Sequence, residues 1–335
     1  MEITKPRYYD RFRCIAGQCP DSCCKEWAVQ VDDQSAARYR ALPGPLGDRL
    51  RRALAQEDGE TVLAIENGRC PMWRQDGLCR IQAELGEEGL CQVCRSYPRL
   101  RHDYGDFVEL GLELSCPEAA RLILEAPAEP PIRTRQPGGE AGYDREAMDC
   151  LRASRERALE ILDDPAHSPG QALALLLLYS CQAQEKLDGA EAADFIFETA
   201  LEAGKELAGP FDLPEFLAFF TTLEILTQKW AALLRQPHRL ALPPQTRALA
   251  RYLVERYWLQ AVSDYDLTCR VKFIVIACLL VGSLGGDYLQ TAQLFSKEIE
   301  NDADNVDAIL DAAYTCPAFT DSRLLGMLLD EGNSK

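Results

Sequence analysis

Residues 14–25 read CIAGQCPDSCCK, and the four cysteines in this stretch decide how the rest of the chain is interpreted. Five more cysteines follow, so that nine of the fourteen in the protein lie between Cys14 and Cys116. A single free cysteine is usually a small buried hydrophobic residue, but this density is too high for packing alone. An odd number of thiols also fits poorly with a fully paired disulfide framework. The stretch therefore predicts a Cys-rich metal-binding module.

The spacing of the nine thiols is compatible with several kinds of metal centre. Thiolates are soft ligands that select zinc, copper(I) or iron–sulfur clusters over hard cations. Cys91 and Cys94 form a CxxC pair of the kind found in zinc sites, and cubane clusters accept more varied spacing. Spacing alone leaves open zinc or iron–sulfur, and one site or two. The candidate ligands are Cys14, Cys19, Cys23, Cys24, Cys70, Cys79, Cys91, Cys94 and Cys116.

The Cys-rich part predicts short strands and tight turns. Asn67-Gly68 and Asp76-Gly77 are two-residue turn signals next to Cys70 and Cys79, and such reversals can point sulfurs toward a common centre. FVELGLELS, residues 107–115, alternates apolar and polar positions as a half-buried strand does. Helices are expected near residues 33–39, near 46–56 and after Pro117.

The remainder of the chain has helical periodicity. Apolar residues recur at i, i+3 and i+4 in several segments, and Pro169, Pro214 and Pro244 stand where helices would start. The predicted fold class is therefore α+β, with a Cys-rich metal module over 1–125, a Pro/Gly-rich linker over 126–142 and an all-helical domain over 143–335. The cysteines of the helical part are predicted to be buried packing residues: Cys150, Cys181, Cys269, Cys278 and Cys316.

Composition restricts the possible partners and the compartment. With 36 basic and 53 acidic residues the formal charge is −17, which argues against binding to nucleic acid or to anionic lipid. The apolar runs are shorter than the roughly 20 residues that span a bilayer. The N-terminal residues have no signal-peptide pattern. We therefore expect a cytoplasmic protein without membrane or nucleic-acid partners. Its negative charge is first of all expected of a solvated, solubilising surface, and a second interpretation is attraction of a basic, lysine-bearing protein.

Four segments together resemble a known family. They are CIAGQCPDSCCKEW (14–27), RCPMW (69–73), GLCRIQAELGEEGLCQVCRSYPR (77–99) and LSCPEAARL (114–122). In order and register these segments resemble the flagellin lysine-N-methylase (FliB) family and the wider group of CxxCxxCC zinc- or iron-chelating proteins. The resemblance covers residues 5–125, and the helical part agrees only in its helical character.

The resemblance implies methylation of lysine ε-amines on flagellin or another lysine-bearing protein. It implies S-adenosylmethionine as the donor and a cysteine-bound metal centre, of the 4Fe-4S type with zinc as the alternative. The nine cysteines named above carry the ligand expectation. A second possibility is a non-enzymatic interaction protein in which a zinc or iron–sulfur centre is purely structural.

The residues themselves leave the catalytic and donor-binding groups unassigned. No G-x-G-x-x-G follows a strand, so a Rossmann-type donor site is not supported. Cys19-x3-Cys23-Cys24 also departs from the CxxxCxxC signature of radical S-adenosylmethionine enzymes. His102 is expected in a solvent-facing loop. Candidates for neutralising a lysine amine, each also compatible with an ordinary half-buried tyrosine, are Tyr8, Tyr9, Tyr97 and Tyr104.

Overall fold

The structure is a computed structural model that describes residues 1–25, 27–57, 59–191, 193–236 and 238–330. It contains two small sheets in the N-terminal part and helices in the remainder, which confirms the α+β class. Residues 331–335 of the predicted helical domain lie outside the described residues.

The four-stranded sheet joins both ends of the N-terminal part. Its strands are β1 (Glu2–Lys5), β5 (Arg99–Asp103), β6 (Phe107–Leu112) and β7 (Ile132–Arg135), in the order β5-β6-β1-β7. Strand β1 runs parallel to β6 and antiparallel to β7. The predicted strand at residues 107–115 is thus confirmed as β6. The segment predicted as a linker contributes β7, whose backbone groups pair with β1.

A three-stranded sheet lies within the Cys-rich part of the chain. Its strands are β2 (Val29–Gln30), β3 (Leu54–Glu57) and β4 (Glu60–Leu63), in the order β2-β4-β3. The short helices of this part are α1 (Asp33–Ala41), α2 (Gly44–Ala53), α3 (Arg80–Leu85) and α4 (Gln92–Ser96). Helices α1 and α2 lie where the periodicity predicted them. Tyr39, Leu50 and Met72 are among the side chains that this region buries together with its cysteines, and we call this cluster the small core.

The helices of the remainder begin at the predicted signals. Pro169 opens a helix behind a Ser168 capping box, and Pro214 lies in the first turn of another. The ranges are α5 (Pro117–Leu124), α6 (Arg145–Asp163), α7 (Pro169–Leu187), α8 (Phe197–Leu207), α9 (Leu213–Phe220), α10 (Gln228–Leu233), α11 (Gln245–Tyr257), α12 (Leu267–Leu284), α13 (Tyr288–Phe295), α14 (Ala303–Thr315) and α15 (Asp321–Leu329). A buried π-helical turn, Ser296–Glu300, follows α13.

Helix α12 forms the centre of the large core. It is 18 residues long and apolar enough to cross a membrane by length and composition, yet 94% of it is buried inside the fold. Helices α7, α11 and α14 pack around it. Burial of an all-round apolar helix among other helices is the ordinary arrangement of a protein core.

The large core draws on both sides of the predicted domain boundary. Phe12, Phe107 and Leu114 from the N-terminal part pack in one cluster with side chains of α6, α7, α11 and α12. Helix α5, the predicted helix after Pro117, joins the same cluster. The division of the chain near residues 125 and 143 stays a prediction. In the structure the four-stranded sheet and the helices share the large core, and residues 29–94 surround the small core.

Candidate functional site

Five of the nine candidate cysteines meet in the small core. Cys70 and Cys91 are buried there, and three more pack against it, namely Cys24, Cys79 and Cys94. Cys79 precedes α3 and Cys91 precedes α4, so each lies at a point where the chain changes direction. The predicted convergence of these thiols in one region is therefore present.

The two predicted turns bring these cysteines together. Asn67 and Gly68 both have positive φ, as a two-residue hairpin turn requires. The residues on either side of this turn, Glu66 and Arg69, form an isolated antiparallel bridge. The Cys70 amide then donates a hydrogen bond to the carbonyl oxygen of Cys24 at 2.8 Å. Local turn chemistry thus places sulfurs from distant positions next to one another.

Two adjacent thiol pairs dominate the electrostatics of the site. A hydrogen bond from Cys24 lowers the pKa of Cys23 to about 7, and one from Cys94 lowers the pKa of Cys91 to about 7. The pKa values of Cys24 and Cys94 are raised by the same hydrogen bonds. Two thiols can therefore ionise near neutral pH, and a thiolate is the form that binds a metal ion.

Burial and mutual repulsion both disfavour the ionised form of the thiols Cys70 and Cys79. Burial raises the pKa of Cys70 to about 11, and negative charge on Cys79 and Cys91 adds to the increase. Burial also raises the pKa of Cys79, again with contributions from Cys23 and Cys91. A bound cation would reverse this balance, because a metal ion deprotonates the thiols that coordinate it. The donor chemistry therefore fits a soft metal ion or cluster.

The other candidate cysteines lie outside the small core: Cys14 and Cys23 are exposed, Cys19 is half-buried, and Cys116 packs against the large core. Burial raises the pKa of Cys116 to about 12, with contributions from Cys19 and Cys23, and the pKa of Cys19 is raised by burial with a contribution from Cys14. Cys23 therefore interacts with both groups of thiols. All fourteen cysteines are free thiols. Among the described residues no three His, Cys, Asp or Glu side chains stand in a metal-holding arrangement, so the nine ligands stay a prediction.

Asp32 fixes the position of the CxxC helix. One carboxylate oxygen accepts from the Ser35 amide at 2.9 Å and caps α1, and the other accepts from the Gln92 amide at 2.9 Å in α4. These backbone hydrogen bonds, that of Gln92 first, lower the pKa of Asp32 to about 2. Asp32 was not among the residues predicted to matter at the site, although an aspartate before a helical segment is an N-cap signal.

Replacing Asp32 should loosen both helices. We expect Asp32→Ala to lower the free energy of unfolding by about 1–2 kcal/mol, the range for a lost N-cap. Because the folded-state pKa is lower than the unfolded value, the contribution is present above pH ~4 and disappears as the pH falls toward about 2. Urea unfolding at pH 7 and pH 2.5 measures this. Asp33→Ala, which removes the neighbouring exposed carboxylate, is the control and should have the smaller effect at pH 7. An equal loss for both variants would contradict the dual cap.

The helical part contacts the Cys-rich loop through a buried ion pair. Lys297 Nζ lies 3.0 Å from Asp21 Oδ2, and its ammonium is 5.0 Å from the ring centroid of Trp27. Gln293 Nε2 donates to the Ser115 carbonyl oxygen at 2.6 Å. The π-helical turn therefore sits directly behind the loop that carries Cys19 and Cys23. Nothing in the local pattern around residues 293–297 indicated this contact.

Two adjoining cavities lie away from the cysteines, beside helices α6 and α11. One has a volume of about 560 Å³ and is walled by β1, β6 and both helices. A second cavity of about 600 Å³ adjoins it, and the two share Tyr8, Arg251, Tyr252 and Glu255. Both volumes are in the usual range for small-molecule sites. None of the nine candidate cysteines lines either cavity.

The first cavity contains paired and incompletely paired carboxylates. Arg155 donates two hydrogen bonds to the Glu109 carboxylate, at 2.6 and 2.8 Å. Glu255 lies 3.6 Å from Arg251 Nη1, and Arg251 makes its closer ion pair with Asp163. Burial raises the pKa of Glu255, although Arg251 and Arg155 lower it. The Glu255 side chain lines the cavity, is 39% exposed and keeps its ion pair with Arg251.

The structure corrects two expectations. His102 lies in strand β5, half-buried and lining the first cavity, so the loop assignment was wrong: residues 99–103 pair with β6 instead. Cys181 is exposed, because it faces outward from α7, whereas Cys269 and Cys278 are buried as predicted. Cys150 and Cys316 are half-buried.

The candidate tyrosines take different roles. Tyr8 lines both cavities, and burial raises its pKa. Tyr97 Oη lies 3.1 Å from Ser115 Oγ, on the cysteine side of the molecule. Tyr104 stacks on Phe107 with ring centroids 4.5 Å apart, and Tyr9 packs against the large core. Only Tyr8 therefore faces a space that could hold a ligand.

Comparison with known proteins decides the family. The chain is 35% identical over 138 residues to the lysine-N-methylase of Salmonella typhimurium, and 34% identical over 138 residues to that of Salmonella choleraesuis. It is also 34% identical over 138 residues to the flagellar biosynthetic protein FliU of Salmonella muenchen, 79% of which is covered. The chain belongs to the FliB-like lysine-N-methylase family. This confirms the resemblance found in the sequence.

The match to the FliB-like family is partial in length. It covers 38% of this chain and 33% of the length of each lysine-N-methylase. No protein-family model matches the chain, and no solved structure is significantly similar to it.

Proposed function

We propose that this chain is a protein-lysine N-methyltransferase that uses S-adenosylmethionine and carries a cysteine-bound iron–sulfur centre. The observation that supports it most directly is membership of the FliB-like family, in which two relatives bear the name lysine-N-methylase. The substrate we propose is flagellin or another lysine-bearing protein, and the FliU name is compatible with a flagellar link. A cytoplasmic location goes with this proposal.

The nine cysteines would hold the centre, and the packing of five of them in or against the small core supports this proposal. The thiols of the small core repel one another as thiolates, and Cys23 couples them electrostatically to Cys19 and Cys116. When bound, an iron–sulfur centre supplies redox-active or Lewis-acidic iron at this place. The Asp32 cap orients α4, and the Asp21–Lys297 ion pair holds the adjacent loop against the helical part.

The acceptor imposes a requirement on the rest of the chain. A lysine amine has a pKa near 10.4, so neutralising it at pH 7 costs about 4–5 kcal/mol. Polar methyl transfer needs that neutral amine, and enzymes obtain it by desolvation or with a nearby base. The cavity beside Glu255 offers a partly apolar wall and a carboxyl group whose pKa is raised.

Methyl transfer can be tested directly. Anaerobically purified protein is incubated with methyl-labelled S-adenosylmethionine and purified flagellin, and the label is located by mass spectrometry. We expect label on lysine side chains. Absence of label on flagellin and on a lysate fraction of lysine-rich proteins, with fully metallated enzyme, would contradict the proposal.

The identity of the centre has its own test. We expect brown protein with broad visible absorbance and comparable amounts of iron and acid-labile sulfide. Colourless protein with stoichiometric zinc would overturn the iron–sulfur assignment and leave the family unaffected.

A second candidate function, a non-enzymatic interaction protein with a structural metal, is favoured by one observation. The candidate cysteines wall the small core and do not line the cavities near Glu255.

A further inference from the structure

Ser115 lies where two cysteine-bearing segments of the N-terminal part meet. It is a buried residue, and Cys116 follows it directly at the start of α5. The Ser115 hydroxyl oxygen lies 3.1 Å from the phenolic oxygen of Tyr97, the residue that follows α4. Helix α4 begins after Cys91 and contains Cys94. The Ser115 hydroxyl therefore connects the CxxC helix to the segment that carries Cys116.

Gln293 brings a third cysteine-bearing segment to the same point. It is a residue of α13 that is only 5% exposed, and its amide nitrogen donates a hydrogen bond of 2.6 Å to the Ser115 carbonyl oxygen. The same nitrogen lies 3.5 Å from Oδ2 of Asp21, which stands midway between Cys19 and Cys23. A single side chain of the helical part therefore spans two segments that are far apart in sequence.

Lys297, four positions after Gln293, fixes Asp21 for this contact. The Lys297 side chain is 2% exposed and its ammonium nitrogen lies 3.0 Å from Asp21 Oδ2. The other carboxylate oxygen of Asp21 accepts a hydrogen bond of 2.8 Å from the Ser22 amide. Breaking a buried ion pair from one side is strongly unfavourable, because the remaining charge is left uncompensated. The carboxylate is thus held from two sides, within reach of the Gln293 amide.

We propose that Gln293 is a positioning residue for the metal centre, which holds the loop of Cys19 and Cys23, the segment of Cys116 and, through Ser115, the CxxC helix in one arrangement. We call the hydrogen-bonded groups of Gln293, Ser115 and Tyr97 the relay. The inference rests on the cysteine-bound centre of the proposed function and extends it, since neither the cysteine motifs nor the relatives' names assign a role to the helical part. Residues that orient metal ligands from outside commonly change metal affinity by about 10–100-fold when they are replaced.

Two variants remove the relay at different points with little change in size. Gln293→Met keeps an unbranched side chain of similar length and removes its amide. Tyr97→Phe removes a single oxygen atom, the one that lies next to the Ser115 hydroxyl. The matched controls make the same chemical changes outside the relay. They are Gln290→Met, at an exposed position of the same helix, and Tyr104→Phe.

Metal retention is measured on the whole chain, purified anaerobically, as the loss of iron, zinc and acid-labile sulfide to a chelator. We expect Gln293→Met to retain metal about 10-fold less well than wild type, the lower range for a lost outer partner. Tyr97→Phe should change retention in the same direction, and Gln290→Met and Tyr104→Phe should match wild type. The two relay variants combined should lose less than the product of their separate effects, because both act through Ser115.

The outcomes separate a positioning role from ordinary packing. Wild-type metal retention in Gln293→Met and Tyr97→Phe, both folded by circular dichroism, would overturn the role and leave the metal centre standing. A lower unfolding temperature of the metal-free variants with unchanged metal retention would overturn it too, since packing alone predicts that result. If Gln293→Met does not fold, Tyr97→Phe decides by itself.

The same experiment distinguishes this inference from the proposed function. Because the readout is metal, a protein that methylates nothing can still show the loss of retention expected of Gln293→Met, and the positioning role would then be supported without the activity. A wild-type protein that holds neither iron nor zinc after anaerobic reconstitution would reject the cysteine-bound centre, and the role of Gln293 with it.

Discussion

Cys91→Ser is expected to lose bound metal and the folded small core together. Cys91 is buried in that core and its thiol pairs with Cys94, so serine leaves a weaker ligand and a buried hydroxyl in its place. Structural metal sites contribute on the order of 10 kcal/mol to the folding of small modules. The loss should therefore exceed that of any ordinary core substitution. Cys94→Ser is expected to behave in the same way.

Elemental analysis and thermal unfolding followed by circular dichroism measure the two effects. Cys181→Ser is the matched control, because Cys181 is an exposed cysteine on α7 and belongs to the residues predicted not to bind metal. It should keep both the metal content and the unfolding temperature. Full metal occupancy in Cys91→Ser and Cys94→Ser would remove both residues from the ligand set. Metal loss in Cys181→Ser would show that ligands and packing cysteines have been divided wrongly.

Glu300→Leu is expected to destabilise the large core by about 3–5 kcal/mol, the cost of breaking a buried ion pair from one side. The Glu300 side chain is fully buried and lies 3.3 Å from Arg256 Nε. It also accepts hydrogen bonds from Tyr257 Oη at 3.0 Å and from Tyr252 Oη at 3.2 Å. Leucine would leave a guanidinium and two hydroxyl groups without this acceptor.

Urea unfolding compares three variants with the wild type. Glu202→Ala breaks the exposed pair with Lys205 and should cost less than about 1 kcal/mol. The double variant Arg256→Met/Glu300→Leu should recover much of the stability lost in Glu300→Leu, because the guanidinium is then removed together with its carboxylate partner. A Glu300→Leu protein as stable as Glu202→Ala would mean that the buried network contributes little.

The local features of the fold could be predicted from the sequence. Asn67-Gly68 adopts the positive φ angles that its composition requires, and Pro169 opens α7 as expected. The alternation after residue 106 gives strand β6. These features depend on residues within a few positions of one another, so the sequence pattern contains the information. The thiol density predicted a Cys-rich region in the same way, and the motifs that carry those thiols identified the family.

Long-range placement could not be predicted in the same way. The segment over 126–142 was expected to be a linker on account of its prolines and glycines, yet Ile132–Arg135 pairs with the first strand of the chain. The partner of Ile132–Arg135 is Glu2–Lys5, more than a hundred residues away, so it leaves no local sign in either segment. His102 was expected in a loop and lies in strand β5, which pairs with the adjacent strand β6, as His102 does with Glu109.

The nine cysteines and the family were determined by the sequence alone, since a motif is a property of residue order. Tertiary structure alone decided that Glu255 faces a cavity and that Glu300 is buried among Tyr252, Arg256 and Tyr257. Both glutamates are ordinary members of amphipathic segments, where a carboxylate usually faces water. Whether such a group is buried depends on which helix faces meet, and that is settled by the packing of the whole core.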